Sequence, residues 1–245
     1  MKEGLTNLQL GSFQSGVSIN ASVGQPYGTI QGKTYEYVDG KRLVDDKGYY
    51  VSTTTTNNVF GNVNPDWIGG VNNTFKYKNL ALSFLIDVRQ GGSIWSLDQS
   101  YAATTGVYKE TAALNDLGNP VRNSLADGGG VIYQGVTKDG KANTQRVVVD
   151  ANSTQPPQIA YTYDASYVKL REANISYSLP SSIFGKVKAI KGIDVSVFGR
   201  NLWIIHKNIP YSDPEETVSA GNLIGMQSGA YPTTRSIGMN VRLKF

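Results

Sequence analysis

The chain has 245 residues, with 27 glycines, 15 tyrosines, no cysteine and a formal net charge of +4. That length allows one large or two small domains. The missing cysteines exclude disulfides and thiolate metal sites, and a single histidine, His206, gives no basis for an imidazole metal site.

Lysines and arginines are dispersed, which argues against a nucleic-acid surface. No apolar run approaches the roughly 18 residues of a membrane helix. That test says nothing of a β-barrel, whose strands alternate instead. The opening Met1-Lys2-Glu3-Gly4 leads into no apolar signal-peptide core. A membrane protein with this sequence is therefore expected to be the C-terminal part of a longer chain.

In chain order, residues 1–24 hold short alternating pieces around Leu8, Leu10, Val17 and Ile19, read as strand. Residues 25–64 are rich in turn signals, among them Gln25-Pro26-Tyr27-Gly28, Asp39-Gly40 and Asp45-Asp46-Lys47-Gly48. They read as a long, mostly polar loop with short strands of its own. Trp67 to Tyr77 reads as a strand with Val71, Phe75 and Tyr77 on one face, and Lys78-Asn79 as a tight turn. Leu80, Leu82, Phe84, Ile86 and Val88 then alternate with Ala81, Ser83, Leu85, Asp87 and Arg89, which makes a hairpin with one greasy face.

Residues 90–163, with Gly91-Gly92, Asp127-Gly128-Gly129-Gly130 and Pro156-Pro157, read as a long loop. Residues 164–179 return to strand, with Ala173, Ile175, Tyr177 and Leu179 on one face. Val168 and Leu170 are out of phase with that set. Either a bulge resets the phase, or Lys169 and Arg171 lie beyond the lipid on the loop side. Residues 181–191 form a connector whose Lys186, Lys188 and Lys191 read as a solvated turn. Ile193, Val195 and Val197 alternate with Asp194, Ser196 and Phe198, and a second long loop covers 203–232. In the last stretch Ile237, Met239, Val241, Leu243 and Phe245 alternate with Ser236, Gly238, Asn240, Arg242 and Lys244. That is period-two patterning with one oily and one wet face.

The connections alternate short and long, as they do in outer-membrane barrels. About six strands fit the alternation. With the long loops outside, Tyr77, Tyr177 and Phe245 fall at the inner rim and Trp67, Trp95 and Trp203 at the outer rim, as an interfacial girdle requires.

Several stretches resemble, in order, the C-terminal end of the SusC/RagA family of TonB-dependent outer-membrane transporters. They are GNVNPDW at 61–67, YVKLREANISYSLP at 167–180, GRNLW at 199–203, DPE at 213–215 and YPTTRSIGMNVRLKF at 231–245, with QPYGTIQG at 25–32 upstream. The resemblance runs from about residue 20 to the end, with Gln31 where the family more usually has Tyr. It implies an all-β fold: the antiparallel C-terminal transmembrane strands of a plugged barrel of about 22 strands. Residues 1–245 would be one barrel portion, with extracellular loops at 25–64, 90–163 and 203–232. The resemblance also implies location in the outer membrane and import of oligosaccharides or peptides. The implied partners are a SusD-like lipoprotein lid, TonB–ExbB–ExbD acting through an N-terminal part, the barrel-assembly machinery reading a terminal strand that ends in Phe245, and outer-membrane lipid.

No catalytic constellation emerges, and no cofactor or metal is expected. His206 has no identifiable serine partner. Asp45-Asp46 and Glu215-Glu216 are neighbours in loops, whereas glycoside hydrolysis needs carboxylates about 5–9 Å apart across a sugar. Asp213 and Glu215 could contribute to a cation site, but no EF-hand pattern surrounds them. For substrate the candidates are Asp87, Arg89, Trp95 and Tyr101. Asp87 and Arg89 share the polar face of one strand and could pair with each other, contact a plug or meet substrate. Trp95 and Tyr101, just past that strand, could stack on a sugar, contact a lid or anchor the rim. The membrane and assembly residues are Ile237, Met239, Val241, Leu243 and Phe245. The alternative of another class is a soluble β-rich carbohydrate-binding or adhesion domain, in which the oily strand faces lie under a partner sheet; an enzyme of the β-sandwich glycosidase kind comes third.

Overall fold

The alternating stretches become one antiparallel meander. The computed structural model describes residues 5–149, 156–184 and 189–245. The opening Met1-Lys2-Glu3-Gly4 and the lysines Lys186 and Lys188 lie outside the described residues. The strands are, first, β1 (Asn7–Ser12), β2 (Ser18–Ser22), β3 (Thr29–Gly32), β4 (Tyr37–Val38), β5 (Lys41–Arg42), β6 (Asn58–Asn62), β7 (Trp67–Tyr77) and β8 (Leu80–Gln90). There follow β9 (Ser93–Ser96), helix α1 (Leu97–Thr105), β10 (Val131–Ile132), β11 (Arg146–Val147) and β12 (Thr162–Asp164). The last are β13 (Tyr167–Leu179), β14 (Gly192–Lys207), β15 (Met226–Gln227) and β16 (Ser236–Lys244). They belong to two compact units, one of Met1–Asn64, Ser93–Tyr163 and Thr217–Ala230, the other of Pro65–Gly92, Asp164–Glu216 and Tyr231–Phe245.

The second unit is a five-stranded sheet in the order β16-β14-β13-β8-β7, with every neighbouring pair antiparallel. It is an open sheet, so the closed barrel expected of the whole family is not present in this chain. Among the described residues this sheet has five strands rather than about six, because β1 and β2 pair in the other unit. The two-residue turn Lys78-Asn79, with Lys78 at φ 52°, and the 180–191 connector join strands at one end of the sheet. The long connections after Gln90 and after Lys207 both leave from the opposite end, where Trp67 pairs with Gln90 and Tyr167 with Arg89 and Lys207.

The phase problem in β13 is solved by a bulge. Leu170 pairs with Ile86 and the next paired residue, Glu172, pairs with Leu85, so Arg171 is one residue extra. The ladder to β14 shifts at the same place. A single inserted residue moves everything beyond it to the other face. Val168 and Leu170 therefore join Ala173, Ile175, Tyr177 and Leu179 on one face.

The first unit carries its own core. β1-β2-β3-β6 form an antiparallel sheet, and β12-β9-β15 a second one in which β9 and β15 run parallel. Val17, Ile19, Ile30, Val63, Trp95, Leu97, Tyr161 and Met226 are buried together. The stretch read as an unbroken loop over 90–163 thus holds strands and a helix. α1 starts at Ser96, whose hydroxyl caps the Gln99 amide at 3.1 Å, and stops at Gly106, in the left-handed region at φ 72°. Both are standard start and stop signals, and they are legible in the sequence without a strong apolar stripe.

Candidate functional site

The second unit has two unlike faces. On one, Trp67, Val71, Phe75 and Tyr77 of β7, Leu80 and Leu82 of β8, Ile175 and Tyr177 of β13, and Val197 and Trp203 of β14 are all exposed. The β16 residues Ile237, Met239, Val241 and Leu243 continue this face at 73%, 68%, 51% and 48% exposure, with Phe245 at 74%. A soluble sandwich would cover these side chains. Soluble proteins rarely leave so large a contiguous apolar surface open, and such a surface marks a membrane or a partner. Tyr77 and Tyr177 flank Leu80 at the turn end, and Trp67 and Trp203 lie toward the other end.

The reverse face is polar. A recess of 320 Å³ there is bordered by Asn72, Ser83, Glu172, Asn174, Ser196, Arg200 and Asn240. Arg200 meets Glu172 at 3.2 Å, and Asp194 accepts from Lys244 at 2.7 Å and from Ser178 at 2.8 Å. Gly238 sits opposite Phe198, where a Cβ would stand 2.6 Å from the ring, so only glycine lets the ring lie flat across β16.

A charged cluster closes the long-connection end. Lys169, with 3% of its side chain exposed, donates to Asp213, also 3% exposed, and to Glu215 at 2.6 Å. Arg171, turned to this face by the bulge, contacts Asp87 at 2.7 Å and also Glu215. Tyr167 donates to Glu215 at 3.0 Å and Thr233 to Asp213 at 2.6 Å. Burial pushes the Asp213 carboxyl up, but hydrogen bonds from Lys169 and Thr233 outweigh it and hold the group below its ordinary value. For Glu215, too, burial is outweighed, by hydrogen bonds from Arg171 and Lys169. The cluster pins Asp213 and Glu215 to β13, and Asp213 holds Thr233 in turn.

Of the four residues proposed for substrate, Asp87 is paired with Arg171. Arg89 lies opposite Tyr167 and Ile68. Trp95 is a correction: with 0% exposure it can neither stack on a ligand nor anchor a rim. Its indole is held in the core of the first unit, donating to the Gln158 carbonyl at 3.0 Å and meeting Phe13 edge-on. Tyr101 is half exposed on α1, with its hydroxyl on Gln14. The cation site suggested for Asp213 and Glu215 is also corrected, since lysine, arginine and hydroxyl donors take their oxygens. Among the described residues no cluster of three or more histidine or acidic side chains could hold a metal. His206 stands on β14 rather than in a loop. The Lys169–Asp213 pairing was hidden because it joins residues 44 apart.

No protein-family model matches the chain. In sequence it is 27% identical over 214 residues to TonB-dependent receptor P3 of Formosa agariphila, covering 84% of this chain and 19% of that protein. It is 26% identical over 216 residues to TonB-dependent receptor P26 of the same organism, covering 86% of this chain and 20% of that protein. The chain thus spans about a fifth of the length of the curated relatives it matches. In fold it is similar along its whole length to a quarter of a chain in the RagAB peptide importer in its closed-closed state, with a TM-score of 0.63 at 19% identity. A second RagAB peptide transporter structure gives 0.63 at 21%, and the open-open state 0.58 at 18%. Likeness in sequence and likeness in fold point the same way: the chain is similar in sequence to TonB-dependent receptors and in fold to part of a RagAB chain.

Proposed function

We propose that this chain is the C-terminal part of the wall of an outer-membrane barrel that imports oligosaccharides or peptides. The observation that carries the reading is the five-stranded meander with an exposed apolar face, a polar reverse and both long connections at one end. In lipid every backbone group must be paired, so the outer edges of β7 and β16 require further strands of a longer protein. The apolar face meets outer-membrane lipid, the polar face lines the lumen, and the long connections at 25–64, 90–163 and 203–232 lie outside the cell. Energy comes through TonB–ExbB–ExbD, a SusD-like lipoprotein closes the outer mouth, and β16 with Phe245 is read by the assembly machinery. The RagAB neighbour of similar fold is a peptide importer, which favours peptides over oligosaccharides. Asp87, Arg89 and Tyr101 are then candidates for contact with cargo or plug.

Cysteine scanning of β16 tests the reading: these 245 residues hold no cysteine, and any cysteine elsewhere in the receptor is first replaced by serine. In the whole receptor in outer membranes, environment-sensitive labels at positions 239, 241 and 243 should report lipid, and labels at 240 and 242 water. Equal signals at odd and even positions would sink the membrane-wall assignment.

A further inference from the structure

The first unit holds a cleft outside the wall sheet. β4 and β5 form a small hairpin that pairs Tyr37 with Arg42 and Val38 with Lys41. The chain after β5 runs beside residues 134–136: the Val136 amide donates to the Arg42 carbonyl at 2.9 Å and the Val44 amide to the Val136 carbonyl at 2.8 Å. A Cβ at Gly135 would stand 2.6 Å from the Arg42 carbonyl oxygen, so glycine is what allows this approach. There opens a cleft of 510 Å³ bordered by Lys41, Arg42, Tyr50 and Gln134 together with Gly135 and Val136.

The guanidinium in it is prepositioned. Its carbon lies 4.1 Å from the centre of the Tyr35 ring and 5.4 Å from that of Tyr50. Tyr50 is stacked on Tyr133 at 4.8 Å, meets Tyr35 edge-on at 5.0 Å, and donates its hydroxyl to the Gln134 carbonyl at 3.1 Å. The guanidinium also bonds the side chains of Tyr50 and Tyr37, which fix its orientation, and of its five N–H donors others remain for a second partner. Among the described residues no carboxylate forms an ion pair with Lys41 or Arg42. Asp45, three residues on, is turned to the amides of Lys47 and Tyr49.

Two cations, a side-chain amide and no paired acid suit an anion, and a carboxylate matches the guanidinium fork. The Tyr50 ring is already engaged by Tyr133 at 4.8 Å and by Arg42 at 5.4 Å, so the cleft presents cationic donors more than an aromatic platform for a sugar. We propose that this cleft binds a carboxylate of a peptide, from an acidic side chain or the C-terminus, held by Arg42 and Lys41. The proposal deepens the import reading, on which its use in the cell rests, by naming acidic peptides as the cargo this cleft recognises.

Titration calorimetry on the whole receptor in detergent tests it, with three probes. They are a glycine-flanked glutamate tripeptide, its glutamine and amidated counterpart, and a trimeric uronic acid. The acidic peptide should bind, and the neutral one at least tenfold more weakly. Arg42→Gln should weaken the acidic peptide at least tenfold, while Lys138→Gln, exposed and outside the cleft, should leave it unchanged. Gln134→Glu adds a negative charge at an exposed position without removing a tyrosine contact, and should have the same effect as Arg42→Gln. Equal binding of acidic and neutral peptides, no binding of either, indifference to both cleft substitutions, or binding of the uronate alone would each overturn the proposal. None of these outcomes alters the odd–even labelling of β16, so the cleft and the membrane wall fail separately.

Discussion

Arg171 and Glu215 stand 44 residues apart in sequence and in direct contact in the fold. The contact exists because Arg171 is the inserted residue of the β13 bulge, which turns its side chain to the polar face. The same residue therefore sets the phase of a strand and fastens a long connection.

Deleting Arg171 separates these two roles. Without the extra residue Val168 and Leu170 lose their place on the apolar face and Lys169 takes it. Deletion should abolish assembly of folded receptor, measured as heat-modifiable mobility in outer membranes. Arg171→Ala keeps the register and should assemble, with a looser 213–216 segment. Equal assembly of the two would argue against the bulge as the phase-setting device.

Lys169 and Asp213 form a pair shielded from solvent. Removing one partner leaves an uncompensated charge, which costs about 3–5 kcal/mol, whereas replacing both by apolar residues is often neutral. Lys169→Met and Asp213→Leu should each lower the unfolding midpoint in urea, and the double substitution should recover most of the loss. Additive losses would show that the pair is not coupled.

The cluster also predicts acid sensitivity. The folded-state values of Asp213 and Glu215 lie below their ordinary 3.8 and 4.5. The unfolded state then binds more protons over that range, so the stabilisation is fully present above about pH 5 and is lost as pH falls through the folded values. Hydrogen exchange in the 208–216 segment should be flat from pH 7 to 5, after correction for intrinsic rates, and should rise below pH 4. Glu215→Gln should shrink that rise; an unchanged pH profile would count against the carboxylates as its source.

Depth should decide the cost of a charge on the apolar face. Val241→Arg lies within β16 and should cost about 2–4 kcal/mol if it sits near the bilayer midplane, and Leu243→Arg, nearer the rim, about 0–1 kcal/mol. Asn240→Arg, on the polar face, should change the unfolding free energy little. Equal costs at 240 and 241 would mean that neither side faces lipid.

Much of the five-stranded sheet was legible because period-two alternation is local. The strand Trp67–Tyr77, the turn at Lys78-Asn79, the strand from Leu80 and the oily residues of β16 follow from neighbouring residues alone. Their exposure did not follow, since the same alternation fits a sheet covered by a partner sheet. The helix α1 was within reach through Ser96 and Gly106, but its apolar pattern is too weak to announce it.

What the sequence by itself determined is therefore the strands, their two faces and the family they resemble. Only the tertiary structure decided between a bulge and a displaced strand end at Arg171, because that choice depends on the register of β8 and β14 on either side. Only it buried Trp95, whose neighbours Val17, Ile30, Tyr161 and Met226 come from separate parts of the chain. Only it set Lys169 against Asp213, because hydrogen bonding to a buried charge depends on which distant donor the fold delivers, and no local pattern records that.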